Sequence, residues 1–344
     1  MDSESKVLNV NEASEFLKIS RAMLYRLIKD GQIKTIKIGD LTKIAIEELE
    51  RFINAQSQQP AIKVKGVWSR SNLEDALLAV QRATDEKVGL VIIDLSEAVF
   101  VTPTGLAMLC SIIDRTTWRG GNVRIKDPQN EEFKVFLKSI GFWDYLHIAT
   151  SPDIPKNIEP NVQLKRLQNL DIALTGKLVE FIESSISVSP GVSYVLSMAH
   201  NELIENAMVH SQSRRGCLVC AQSTPKSKLL RLTVLDEGQG IRSSLMESYP
   251  KIENDIAAIK LAVQEGVGAR KTEDRGLGLH EILKFVKVND GELTIISGHG
   301  KVIFKREEVL EEKLKTNWSG TIVEVRLNQD KESFYRLSSE ERTF

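Results

Sequence analysis

Three short stretches of this 344-residue chain combine residue types that can do chemistry. In HNELIENAMVHS, Glu202 and Asn206 stand four apart, so on a helix both project from one face. A carboxylate and a carboxamide oxygen on one face suit a hard cation, and magnesium takes oxygen ligands. An apolar strand pattern over Leu230–Leu235 then delivers Asp236 into DEGQGI, where Gly238 and Gly240 free the backbone to approach a flat ligand. A buried carboxylate there can accept a hydrogen bond from an exocyclic amine such as that of adenine. In DRGLGLHEI, Gly276 and Gly278 open a helix whose free N–H groups can receive phosphates. The preceding EGVGARKTED, basic at Arg270 and Lys271, reads as a lid.

Each stretch alone is common. In this order they resemble the N, G1 and G2 boxes of the GHKL ATPases, a family that includes histidine kinases, gyrase B, MutL and the serine kinases acting as anti-sigma factors. SGTIVEVRL, with Gly320-Thr321 opening the last strand, stands as a fourth box. The resemblance implies a GHKL (Bergerat) α/β sandwich, with helices layered over a mixed sheet, binding ATP with Mg2+. Carried onto this sequence, it makes Asn206 the magnesium ligand and Asp236 the adenine partner. Gly238 and Gly240 fall in the adenine turn, Gly276, Leu277 and Gly278 at the phosphate end, and Thr321 in the fourth box. Glu202 falls where some members hold a general base, so it is the catalytic candidate for a slow ATPase or Ser/Thr protein kinase of the anti-sigma-factor type. The five histidines, His147, His200, His210, His280 and His299, sit on no helical hairpin pattern. That argues against histidine autophosphorylation.

Elements that can position these residues begin upstream. Gly89–Leu95 is a continuous apolar run of buried parallel-strand type. Leu106–Arg115 is helical in pattern, Asn122–Ile125 is a short strand and Asn130–Ile140 an amphipathic helix. Alternating strands and helices predict a small α/β layer. The run VIIDLSEAVFVTPTGLAMLCSIIDRTTWRGGNVRI…FLKSIGFWDYL resembles a STAS domain over about Ile62 to Leu146. In that family the loop before the helix carries a phosphorylatable Ser. Here Pro103 stands at that position, between Thr102 and Thr104, and proline at a first helical turn is good helix-start chemistry. A STAS-like docking module is therefore expected, with either threonine as the alternative acceptor.

At the amino-terminal end, Asn11 is placed to cap a helix over Glu12–Leu17. Ser20 caps a second over Arg21–Asp30, closed by Gly31. Ile33–Ile38 and Leu41–Ile44 flank Gly39-Asp40 as a hairpin-like wing, and Ile46–Ile53 closes with an amphipathic helix. Leu8 to Ile53 resembles the excisionase-type members of the MerR-like family, a small winged helix-turn-helix. The resemblance implies that the second helix enters the major groove of duplex DNA. Arg21, Tyr25, Arg26 and Lys29 then face DNA, with Lys34, Lys37 and Lys43 on the wing. Between Lys18 and Lys43 seven Lys/Arg oppose only Asp30 and Asp40, a local basic patch that suits phosphates. A protein-docking helix-turn-helix with a solvated basic face is the alternative.

Net charge of −1 excludes a global basic field, so any nucleic-acid surface has to be local. No apolar run is long enough to span a bilayer and the first residues carry no signal-peptide pattern, which points to a cytoplasmic protein without membrane contact. Cys217 and Cys220 lie on one strand pattern with thiols on opposite faces, so they read as buried thiols rather than a metal pair. Polar AQSQQP (Ala55–Pro60) and proline-rich SPDIPKNIEP (Ser151–Pro160) are the expected breaks. They divide a multidomain α/β and α+β chain into 1–59, a winged helix-turn-helix, 60–150, a STAS-like α/β domain, and 151–344, a GHKL ATP-binding domain. The expected whole is a regulator that couples ATP to DNA binding or transcriptional control. A catalytically silent nucleotide sensor, an ATP-gated homodimer clamp and a regulatory protein partner remain open.

Overall fold

A computed structural model describes residues 7–17, 19–39, 41–57, 61–68, 74–75, 77–78, 90–146, 161–169, 172–185, 200–224, 228–268 and 278–328. The chain divides into two compact units, Met1–Pro60 and Ala61–Phe344.

The first unit runs β1 (Val7–Asn9), α1 (Val10–Phe16), α2 (Arg21–Lys29), β2 (Ile36–Ile38), β3 (Leu41–Ala45) and α3 (Ile46–Ser57). Its three-stranded sheet has the order β1-β3-β2, antiparallel throughout. Asn9, not Asn11, caps α1. The Asn9 side chain accepts from the Asn11 and Glu12 amides while the Glu12 carboxylate accepts from the Asn9 amide at 2.7 Å, a full capping box that Asn11 cannot make. Ser20 caps α2 as expected, and Gly31 follows with φ +70°. Helix α3 outruns its expected end and takes in residues 55–57, so the break after it is shorter than AQSQQP suggests. Asp40 in the wing and Lys18 lie outside the described residues.

The second unit opens with β4 (Ala61–Lys63), β5 (Gly66–Trp68), β6 (Leu90–Asp94) and β7 (Ala98–Val101), then α4 (Pro103–Trp118), β8 (Asn122–Lys126), α5 (Glu131–Ser139) and α6 (Phe142–Tyr145). Strands β4, β6 and β8 make a parallel sheet in the order β4-β6-β8, and β5 pairs with β7, also in parallel. Its continuation holds β9 (Asn161–Leu167), α7 (Ile172–Ser185) and a helical segment, α8, at residues 200–205, with the proline-rich break at 151–160 outside the described residues. After α8 come β10 (Cys217–Thr224), β11 (Leu229–Asp236), α9 (Gly240–Leu245), α10 (Asp255–Ala262), α11 (Gly278–Val288), β12 (Glu292–Phe304) and β13 (Val309–Asn328).

Five of these strands form one sheet in the order β12-β13-β11-β10-β9. The mixed sheet implied by resemblance is not found: every pairing in it is antiparallel. Strands β10 and β11 are near neighbours in sequence, as are β12 and β13, and short connections close strands only as antiparallel hairpins.

This sheet is buried on both faces. Cys217 and Val219 of β10 pack with α7, α8 and α11, whereas Leu218 and Cys220 pack with Leu106, Leu109 and Ile112 of α4. The two thiols do face opposite sides, and burial pushes the Cys217 thiol up to about 12. The α/β layer of residues 61–146 thus shares a core with the five-stranded sheet, in one compact unit. The strand patterns of β6 and β8 are legible in the sequence, but not that β10 and β11 are apolar on both faces because α4 covers one of them.

The start of α4 is sealed in this contact. Pro103 takes the first helical turn, and Thr102 caps it by accepting from the Gly105 amide. Thr104 donates to the buried Glu324 carboxylate of β13 and lies 2.8 Å from the Thr233 hydroxyl of β11. Thr102 is 4% exposed and Thr104 2%.

Candidate functional site

Strand β11 carries Asp236 to the edge of a cavity of about 400 Å³. Its carboxylate is buried, accepts from the Gly238 amide at 2.8 Å, and is also bonded by the Thr321 amide and hydroxyl. Burial outweighs those bonds and pushes the Asp236 pKa up to about 7. Its backbone is pinned as well: the Trp318 indole donates to the Asp236 carbonyl at 3.2 Å. Gly320 lies so close that a Cβ there would stand 2.2 Å from the same oxygen. Gly320-Thr321 therefore does not open the last strand; it lies inside the twenty-residue β13, the antiparallel neighbour of β11, where the lack of a side chain lets β13 run close past the Asp236 carbonyl.

The two glycines after Asp236 serve different needs. A Cβ on Gly238 would stand 1.9 Å from the Ser211 carbonyl, so this glycine admits the neighbouring chain. It is not among the residues lining the cavity. Gly240, at φ +77°, does line it, and starts α9. Ser297, which sequence reading missed, ties the region together: its hydroxyl accepts from the Ile241 amide and donates to the Gly320 carbonyl, each at 2.9 Å. Its signal was weak, one serine within an apolar strand.

Helix α8 widens into a π turn over Asn206–His210. Glu202, Glu205, Asn206 and His210 all line the cavity, and Ile241, Leu245, Ala262 and Leu279 give it an apolar side. Volume and mixed lining are those of a small-molecule site. Gly278 begins α11 against Glu202: a Cβ there would come within 2.6 Å of the Glu202 side chain. Of the sequence candidates, Glu202, Asn206, Asp236, Gly240 and Thr321 thus meet at one cavity, with Gly278 behind Glu202. Gly276, Leu277, Arg270 and Lys271 lie outside the described residues, as does His147. His280 and His299 each have Nδ1 3.1 Å from a backbone carbonyl, of Val263 and Leu314 respectively.

In the first unit, Leu24 and Leu27 of α2 pack into a core with Ala13, Ile33, Ile44 and Leu49. The opposite arc of the helix is left to solvent, and on it stand Arg21, Tyr25, Arg26 and Lys29. Tyr25 is 56% exposed, high for an aromatic ring. Lys37 of β2 is exposed and Lys43 of β3 half-buried; the Lys34 amide is held by the Glu48 carboxylate at 2.8 Å. An ion pair with Arg51 holds that carboxylate down at about 2.

Residues 7–57 match the helix-turn-helix domain family. No curated protein matches the chain. A helix-turn-helix domain suggests DNA binding or a regulatory role. Its fold explains the basic arc: α2 gives Leu24, Leu27 and Ile28 to the core, which leaves Arg21, Tyr25, Arg26 and Lys29 exposed. No helix of the described residues is long and apolar enough to cross a membrane.

Proposed function

We propose that residues 151–344 are a GHKL-type domain that binds ATP with magnesium, and that residues 60–150 are a STAS-like module docked on it. One observation carries this reading: three stretches chosen for their chemistry, separated by up to about seventy residues, line a single cavity. The buried Asp236 carboxylate suits the adenine amine. The side-chain oxygens of Glu205 and Asn206, both on that lining, are the donor type that magnesium takes, so the residues fit the ion. Bound there, magnesium would neutralise phosphate charge. Glu202 is the group of this chain that can take a proton from water or a serine hydroxyl.

Labelled ATP and magnesium, incubated with the full chain and resolved into free phosphate and phosphoprotein, tests which chemistry follows. Free phosphate supports a slow ATPase, labelled protein a kinase, and neither result supports a sensor that only switches. The sealed start of α4 favours a permanent dock over a phosphoswitch, because Thr102 and Thr104 are buried. After that incubation, mass spectrometry is expected to find no phosphate on either threonine; modification of either one overturns permanent docking.

The helix-turn-helix domain, in this reading, carries the regulatory output to duplex DNA through Arg21, Tyr25, Arg26 and Lys29, with Lys34, Lys37 and Lys43 at the wing. If about four phosphates are neutralised, affinity of the full chain falls about a hundredfold between roughly 50 and 200 mM salt. Arg26→Ala weakens binding further in the same electrophoretic assay. A response flat in salt, or an Arg26→Ala protein that binds as the wild type, would move the domain to protein docking.

A further inference from the structure

Arg115 stands on α4, outside all three chemical stretches, yet it grips the neighbours of Asp236. Its Nε donates to the Glu237 carboxylate at 2.6 Å, its Nη2 donates to the Ser319 hydroxyl at 3.2 Å, and its guanidinium lies 5.0 Å from the Trp318 ring centroid. Ser111, one turn earlier on α4, donates to the same Glu237 oxygen, and Arg215 stands 2.8 Å from the other. The Glu237 side chain is 1% exposed. Glu237 is joined by the chain to Asp236, and Trp318 is hydrogen-bonded to the Asp236 carbonyl. A buried carboxylate at this depth persists only while its cations stay in place.

A purely structural ion-pair network would fasten α4 to the sheet anywhere along its length. This one closes on the two residues that fix the backbone of Asp236. We propose that Arg115 is a positioning residue for the nucleotide base: through Glu237 and Trp318 it fixes Asp236, so the docked segment sets how well the cavity selects adenine. The proposal rests on the ATP reading above and adds the source of base selectivity, a residue 121 positions before Asp236 in the sequence. It also gives the α4 dock a consequence, since loosening α4 would alter nucleotide recognition without touching the cavity wall.

Equilibrium binding of ATP and of inosine triphosphate to the full chain tests it. Inosine triphosphate keeps the ribose and phosphates but carries an oxo group where adenine carries its amine. Wild type is expected to prefer ATP. In Arg115→Ala that preference falls by about tenfold, the scale of one hydrogen bond to a charged group, with little change for inosine triphosphate. Arg115→Lys, which keeps a cation beside Glu237, recovers part of the preference. Glu237→Gln keeps the shape and loses preference too, so it decides the matter should Arg115→Ala fail to fold. Equal weakening of both nucleotides, or an unchanged preference in Arg115→Ala or in Glu237→Gln, overturns the proposal while leaving the ATP reading of the cavity standing. A wild type that binds neither nucleotide overturns the ATP reading and this inference together.

Discussion

Glu202→Gln is expected to bind ATP as the wild type does and to turn it over about a hundredfold more slowly, the scale of losing a positioned general base. Glutamine keeps the shape that Glu202 presents to Gly278, where even one added carbon would collide. Packing at the start of α11 should therefore survive, and only the ability to take a proton is lost. Phosphate release and phosphoprotein formation, followed beside calorimetric affinity, separate the two effects. Unchanged turnover would leave Glu202 as a packing partner of Gly278 and give the proton to a different base.

Asp236 gives the second large effect, on pH dependence. Its pKa in the folded chain, about 7, stands above its ordinary 3.8. The folded protein therefore keeps a proton that the unfolded chain has released, and the nucleotide-free protein loses stability as pH rises from about 4 to about 7. Binding runs the other way. An amine donor is accepted best by the ionised carboxylate, so below about 7 ATP affinity should fall, by up to on the order of tenfold per pH unit. Asp236→Asn should flatten both slopes, and the difference between wild type and variant removes the titration of ATP itself. Urea unfolding and calorimetry at pH 5.5, 7 and 8.5 read the two slopes; parallel profiles for the two proteins would contradict the role given to this carboxylate.

Much of this was legible in the sequence because it is local. A Ser cap, a Gly after the helix and alternating apolar residues fixed α2, β2 and β3 within a few positions. The same holds for β6, β8 and α5, whose patterns are complete within a dozen residues. The cap of α1 lies two positions before the one the sequence suggests: Asn9 and Asn11 are both good cap residues, and only the reciprocal bonding of Asn9 with Glu12 separates them.

What stayed hidden is non-local. Glycines in DEGQGI can be read as ligand-facing, but Gly238 in fact faces the Ser211 carbonyl, which no spacing rule links to it. Gly320 reads as a strand start and instead sits within β13, which runs beside β11 and passes close to the Asp236 carbonyl. Arg115, Glu237 and Trp318 lie in three separate parts of the chain, and only the packing of α4 on β10 and β11 brings them together. Hairpin connections account for two of the four antiparallel pairings, β10 with β11 and β12 with β13; β9 with β10 and β11 with β13 are brought together across helices, which no local pattern shows.

The most direct test of the central claim is calorimetric titration of the full chain with ATP, with and without magnesium, beside Asp236→Asn and Asn206→Ala. Expected are saturable binding to wild type, a loss of about 1–3 kcal/mol in Asp236→Asn from an unmade buried hydrogen bond, and a loss in Asn206→Ala that appears mainly with magnesium present. A wild type that takes up no ATP, or two variants that bind as it does, would contradict a nucleotide site at this cavity.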